Sequence, residues 1–226
     1  MAEPVTEPVN DPGLAAVDAD EAPNPAILVI ISGPSGVGKD TIIEAMRRRE
    51  HDPEYHYVVT CTTRDKRPGE ENGVDYWFLD TETFAAQRAA GEFLEANEVH
   101  GNWYGTPRSQ VRGALAEGRD VILKIDVQGA QVVKEKIPGA LLIFLIPPSL
   151  EDLFQRLLSR ATETADELEI RQRNAAIELA RQEDYDYVVK NETGQVERTA
   201  ERIDAIIADE HRKHPDRRVE VYPRSP

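Results

Sequence analysis

The apolar positions of this chain fall into compact runs rather than long stripes. Residues 27–31 (ILVII), 120–126 (DVILKID) and 140–146 (ALLIFLI) are short, nearly continuous apolar stretches rich in Val, Ile and Leu. Runs of that length, with little polar alternation, predict strands buried on both faces, as in a parallel sheet. Between them the period changes. From Thr41 onward (TIIEAMRRR), and over 109–117, 167–182 and 196–212, the pattern predicts helices. Strands alternating with helices imply a parallel sheet with right-handed crossovers. Shorter strands are expected at 57–61, 74–79 and 185–189, with a short helix over 81–91 that stops at Gly91. The stretch 101–106 reads as turn-rich. After Pro147-Pro148 a helix starts at Ser149, with Asp152 as an imperfect capping partner, and carries Arg156 and Arg160. A polar turn over 161–166 separates it from the next helix.

This pattern divides the chain. Residues 1–24 are rich in Pro, Ala, Asp and Glu and contain no Lys or Arg, which predicts a disordered acidic tail or, less simply, a partner motif. One α/β domain spans 25–210, with its core at 25–59, 105–149 and 185–210. Two polar excursions leave that core, an insertion at 60–104 and a helical lid at 150–184. Residues 211–226 form a polar tail expected to be loose. No internal repeat is visible.

Composition narrows the function. At 226 residues, 40% hydrophobic and 31% charged, the chain suits one soluble α/β domain with subdomains. A net charge of −15 argues against nonspecific nucleic-acid binding. In so acidic a protein, local clusters of arginine become informative. Cys61 is the only cysteine, so no internal disulfide framework exists, which fits a reducing cytoplasm. No apolar run approaches the roughly 18 residues of a membrane helix, and the N-terminus has no signal-peptide pattern.

The first apolar run breaks into Gly33-Pro34-Ser35-Gly36-Val37-Gly38-Lys39, which fits the phosphate-loop pattern G-x-x-x-x-G-K. Glycines let backbone N–H groups converge on phosphate oxygens, and Lys39 adds a point charge. The helix that follows aims its positive end at the same place. A plain glycine turn is the bland alternative, but strand, loop, lysine and helix agree. The residue after Lys39 departs from the pattern. It is Asp40, not the magnesium-binding Ser or Thr, and Thr41 comes one place later. A carboxylate is a good hard ligand for magnesium and suits a helix start. It would also lie close enough to ATP phosphates to repel them. Asp40 is therefore the candidate metal contact, directly or through water.

A second anion site is suggested by Thr60-Cys-Thr-Thr-Arg-Asp-Lys-Arg-Pro-Gly-Glu-Glu-Asn-Gly-Val-Asp-Tyr. Arg64, Arg67 and Tyr76 can together hold a phosphate monoester by charge-assisted hydrogen bonds. By spacing alone, a solvated basic loop fits equally well.

At this point the sequence resembles the guanylate kinase family, over about 27–210. The resemblance rests on GPSGVGK, TTRDKRPGEENGVDY, FLEANEVHGNWYGT, KIDVQGA and the RATET segment followed by Arg171 and Glu178. It implies a phosphate-loop nucleoside monophosphate kinase fold: a parallel core sheet flanked by helices, with a nucleotide-binding insertion and a helical lid. It implies transfer of the ATP γ-phosphoryl group to GMP, with dGMP as a further acceptor and Mg²⁺ accompanying ATP. By resemblance Arg64, Arg67, Tyr76 and Tyr104 clamp the GMP phosphate. Thr60, Glu95, Thr106 and Asp126 match guanine-reading positions, and Glu70 matches a site acid of unspecified role. Arg160 and Arg171 would reach the transferring group, with Arg156 and Arg173 as further candidates. Asn191 matches a position near adenine. Lys124 stands where some relatives have an acid, and either reaches phosphate or pairs with a neighbouring carboxylate.

The chemistry agrees with this assignment. Guanine offers N1–H and the 2-amino group as adjacent donors, and Glu95 can accept both, whereas adenine would leave it unpaired. For Asp126 a strand-end cap before Gly129 is the other reading. The acceptor phosphate is already largely ionised at neutral pH, so no dedicated general base is needed. The expected small-molecule partners are ATP and GMP, with no nucleic acid, membrane or obligate protein partner. The competing readings are a catalytically impaired binding module of the same fold and a kinase for another base. The intact phosphate loop and arginines speak against the first, Glu95 and Thr106 against the second.

Overall fold

The computed structural model describes residues 25–99, 101–158, 165–217, 219 and 221, with 165–171 described by backbone alone. In chain order the first elements are β1 (Leu28–Ser32), α1 (Lys39–Arg47), β2 (His56–Tyr57), β3 (Cys61–Thr62), β4 (Trp77–Phe78), α2 (Thr81–Ala89), β5 (Phe93–Val99) and β6 (Asn102–Pro107). They continue with α3 (Arg108–Ala116), β7 (Val121–Lys124), α4 (Val127–Lys136), β8 (Leu141–Ile146), α5 (Leu150–Leu158) and α6 (Ala165–Leu179). A short 3-10 helix (Ala180–Asp184), β9 (Tyr187–Lys190) and α7 (Val196–Lys213) follow.

Five strands form one sheet in the order β2-β7-β1-β8-β9. Every pairing in it is parallel. The continuous apolar runs are explained by its two covered faces. Leu28 and Ile30 face a core shared with Val111 and Leu115 of α3 and with Ala130 and Val133 of α4. Val29 and Ile31 face the opposite core, with Ile42 and Met46 of α1 and Ile203 and Ile207 of α7. A strand buried on both sides cannot alternate apolar with polar residues.

The second sheet has the order β4-β3-β6-β5, and β5 and β6 form an antiparallel hairpin. It corrects the sequence reading in several places. The expected strand at 57–61 is two strands in different sheets. Tyr57 pairs with Ile122 of β7, whereas Cys61 pairs with Gly105 of β6 and Trp77 of β4. A continuous β-prone run does not reveal that the chain changes partners midway. The stretch 101–106, expected as turns, is mostly β6, and only Gly101 (φ 76°) sits in a turn. Gly105 serves packing instead. A Cβ there would stand 3.0 Å from the rings of Phe84 and Phe93, which are themselves stacked. The strand β5 and the helix α4 are additional to the expected elements.

The strand expected at 74–79 is reduced to Trp77–Phe78, while other local signals hold. Gly91 follows α2 in the left-handed region (φ 69°). The Asp152 N–H donates to Ser149 Oγ at 3.0 Å, and that hydroxyl donates back to the Asp152 carboxylate, which closes the start of α5. The boundaries of the regions shift. The second sheet continues past 104 to Pro107. At the other end, α7 takes in residues to Lys213, and Val219 and Val221 pack on the core, so the segment from 211 is not wholly a loose polar tail.

Candidate active site

One cavity opens where β1 and β7 end, the usual place for a ligand in an open α/β sheet. It runs from Gly33, Ser35–Asp40 and Glu178 across Lys124–Asp126 to Thr60, Arg64, Arg67, Tyr76, Glu95, Asn102 and Tyr104. Residues far apart in sequence thus face one another.

At the donor end, strand β1 delivers the loop and α1 carries it away. Gly33, Gly36 and Gly38 all have positive φ (140°, 82° and 102°). Gly33 is also pressed against the backbone, because a Cβ there would collide with the Leu145 carbonyl oxygen. Lys39 Nζ donates to the carbonyls of Gly33 and Pro34. Burial pushes its pKa down, and Glu178, Asp40 and Asp126 act against that shift. Asn191 is buried behind the loop. Its Nδ2 donates to the Val37 carbonyl at 2.8 Å, and a Cβ on Gly38 would stand 2.7 Å from it. Here Asn191 braces the loop. Thr41 points outward on α1 and is exposed.

At the acceptor end, Arg64 is the centre of a cluster. Its Nη2 donates to Glu70 Oε1 at 2.8 Å, and its guanidinium lies 5.5 Å from the Tyr76 ring centroid. Tyr76 and Tyr104 meet edge to face at 6.1 Å. Glu70 also accepts from the Arg67 N–H at 2.8 Å. Burial opposes the charge of Glu70, but Arg64 and Arg67 outweigh it and hold the carboxyl below its usual range. Glu70 therefore orients the arginine cluster, a role that the motif left open.

Deeper in, Glu95 is only 4% exposed. Thr106 Oγ1 donates to its Oε1 and Asn97 Nδ2 to its Oε2, both at 2.6 Å. Burial raises its pKa to about 7, with a further push from Asp126, while the two donors act in the opposite direction. Each carboxylate oxygen keeps a further lone pair for a ligand. Asp126 caps α4, accepting from the N–H groups of Gln128 and Gly129 at 2.7 and 2.9 Å. It also lines the cavity, so the cap reading and the binding reading coexist in one side chain. Gly129 lets α4 approach, since a Cβ there would be 3.2 Å from Glu95 Oε2.

Other side chains stand differently from the motif reading. Arg156 donates to the Val37 carbonyl and to Thr193 Oγ1, at the back of the phosphate loop. Arg173 is exposed on α6. Arg160 and the side chain of Arg171 lie outside the described residues. Two contributors carry no assigned role in the sequence reading: Asn97 and Glu178. Glu178 Oε2 accepts from the Ser35 N–H at 3.2 Å, which brings α6 onto the loop. A second polar residue on the Glu95 face of β5 was a signal for Asn97, hidden because β5 itself was not expected. Lys124 forms an ion pair with Asp40, so of its two readings the pairing with a neighbouring carboxylate is the one observed.

Among the described residues, no group of three or more His, Cys, Asp or Glu forms a metal cage. The phosphate loop at the end of the central strand β1, facing an arginine cluster and a buried carboxylate across one cavity, defines a phosphate-loop nucleoside monophosphate kinase. Comparison with known proteins makes this specific. The family model described as guanylate kinase matches residues 26–210. The guanylate kinase of Halalkalibacterium halodurans is 44% identical over 196 residues, covering 87% of this chain and 94% of that protein. That of Latilactobacillus sakei is 43% identical over 192 residues, covering 85% and 93%. The crystal structure of guanylate kinase from Anaplasma phagocytophilum superimposes with a TM-score of 0.66 at 35% identity, covering 83% of this chain and 86% of that one. The chain belongs to the guanylate kinase family.

Proposed function

We propose that this protein transfers the γ-phosphoryl group of ATP to GMP, and to dGMP, yielding ADP and GDP or dGDP. The observation that carries this reading is Glu95: a buried carboxylate with two fixed donors, in the same cavity as the phosphate loop and Lys39. Such a group accepts the adjacent N1–H and 2-amino donors of guanine. Adenine would leave it unpaired in a dry site, which a pocket of this type penalises by about 10⁴-fold. Thr60, Thr106 and Asp126 complete the base end. Arg64, Arg67, Tyr76 and Tyr104 hold the acceptor phosphate, with Glu70 setting the arginines.

Catalysis is positioning and charge neutralisation. The acceptor phosphate oxygen attacks the γ-phosphorus as the bond to the β-phosphate oxygen breaks, and ADP leaves. Lys39 and the loop N–H groups hold the donor phosphates in line. Arg160 and Arg171 on the lid segment 150–184 would meet the transferring group on closure, which also excludes water. Asn191 steadies the loop that the adenine nucleotide occupies. Mg²⁺ accompanying ATP would supply charge neutralisation. Asp40, a hard oxygen donor lining the cavity, fits a site completed by phosphate oxygens and water. An Asp40→Ser variant with unchanged magnesium dependence would remove that role.

No helix among the described residues is long and apolar enough to cross a membrane. We place the reaction in the cytoplasm, where the Cys61 thiol, pushed up to about 12 by burial, stays unreactive. The reaction calls for no nucleic acid and no obligate protein partner. The deciding assay offers GMP, dGMP, AMP, CMP and UMP separately with ATP and magnesium and follows ADP. Turnover confined to the guanine nucleotides is expected. Equal turnover with AMP would overturn the reading.

A further inference from the structure

The two departures from the family pattern are one feature in space. Asp40 lies in the first turn of α1, directly after Lys39, and Lys124 ends β7, 84 residues later. Lys124 Nζ donates to Asp40 Oδ1 and also stands 4.8 Å from the Tyr76 ring centroid. Its side chain is 19% exposed, against 65% for Asp40, and both residues line the cavity. Lys124 therefore lies at the junction between the phosphate loop and the acceptor clamp.

Elementary electrostatics makes Asp40 a problem for a phosphate site. Its carboxylate neighbours Lys39, the loop's own cation, and would face a bound polyphosphate. Two like charges a few ångströms apart in a partly desolvated cleft repel strongly. A charged amine at bonding distance cancels the carboxylate where it would otherwise oppose the nucleotide.

We propose that Lys124 is a positioning residue for the donor nucleotide: by neutralising Asp40 it makes an acidic residue tolerable beside the ATP phosphates, and the two act as a single compensated unit. This rests on the reading of the cavity as an ATP site. It predicts that the singles move ATP affinity in opposite directions. Lys124→Met bares the carboxylate and weakens binding. Asp40→Asn releases the cation toward the phosphates and tightens it.

The test is calorimetric titration of ATP in EDTA, which separates charge compensation from any metal contact of Asp40, with thermal melts as the folding check. Expected for Lys124→Met is about tenfold weaker ATP binding, and for Asp40→Asn binding several-fold tighter. The double variant Asp40→Asn/Lys124→Met should return to within about threefold of the unaltered protein, and Lys124→Arg should stay there too. Equal ATP affinity in all variants overturns the proposal. So does weaker binding by Asp40→Asn, an arm that decides the matter even if Lys124→Met does not fold. A double variant as weak as Lys124→Met also overturns it. Failure of the unaltered protein to bind ATP at all, with or without magnesium, would instead overturn the kinase reading.

Discussion

The two ends of the cavity face one another but are assembled in opposite ways. The donor end is a contiguous loop, Gly33 to Lys39, whose main tools are backbone N–H groups and one lysine. Its conformation depends on local glycine geometry and on buttresses such as Leu145 and Asn191. The acceptor end is built from side chains on a second sheet, a strand end and a connecting loop, from Thr60 to Asp126. Binding a phosphate chain needs many equivalent donors, which a bent backbone supplies. Reading a base needs a few groups of fixed sign and direction, which only side chains on a rigid scaffold supply. The donor end should therefore fail through loss of rate, and the acceptor end through loss of discrimination.

That contrast can be broken most directly at Lys39. Lys39→Met removes the loop's only side-chain cation and should lower kcat by about 10²–10³-fold, with base preference unchanged. Steady-state rates with GMP and AMP would check it. A shift in base preference would show that the ends are not separable. The converse is Glu95→Gln. It should reduce kcat/KM for GMP by about 100-fold and narrow the margin over AMP, while ATP affinity stays within about twofold. Loss of ATP binding in that variant would contradict the division.

The same contrast explains what the sequence made legible. A phosphate loop is local, so Gly33, Gly36, Gly38 and Lys39 announce it by spacing, and the buried strands announce themselves by composition. The acceptor end is non-local. No period brings Thr106 and Asn97 onto opposite oxygens of Glu95, because that meeting depends on hairpin register, and β5 shifts register between Phe93 and Ala96. This irregularity blurs the alternation that would mark a strand. Gly105 misled for a related reason: a glycine that makes room for aromatic rings looks in sequence like one that makes a turn. The Asp40–Lys124 pair was visible only as two separate anomalies. Charge complementarity across 84 positions becomes evidence only once the fold joins them.

The acceptor end should also carry a pH signature that the donor end lacks. Glu95 has a pKa raised to about 7, so a falling pH protonates it and removes one of its two acceptor sites. One unit below that value, kcat/KM for GMP should fall by about tenfold. The GMP phosphate titrates nearby, so the informative quantity is the difference between this protein and Glu95→Gln, which retains only the substrate's titration. The same shift acts on folding. The native state holds its proton more tightly than the unfolded chain, whose carboxyl titrates near 4.5, so stability declines as pH rises from 4.5 to about 7 and is level above that. A stability curve that rises across this window in step with Glu95 would contradict its assigned environment.

The finest test concerns Asn97. Its amide donates to Glu95 Oε2 and so favours the charged carboxylate over the neutral acid. Asn97→Ala removes that bond without touching the phosphate loop. The midpoint of the GMP pH profile should then rise by about half a unit, which near pH 7 lowers kcat/KM by about twofold, with ATP binding unaltered. Nuclear magnetic resonance titration of the Glu95 carboxyl carbon reads the same shift without substrate. A midpoint moving downward would mean that Asn97 stabilises the protonated acid instead, which would reverse the sense in which Glu95 is prepared to receive two donors from a guanine ring.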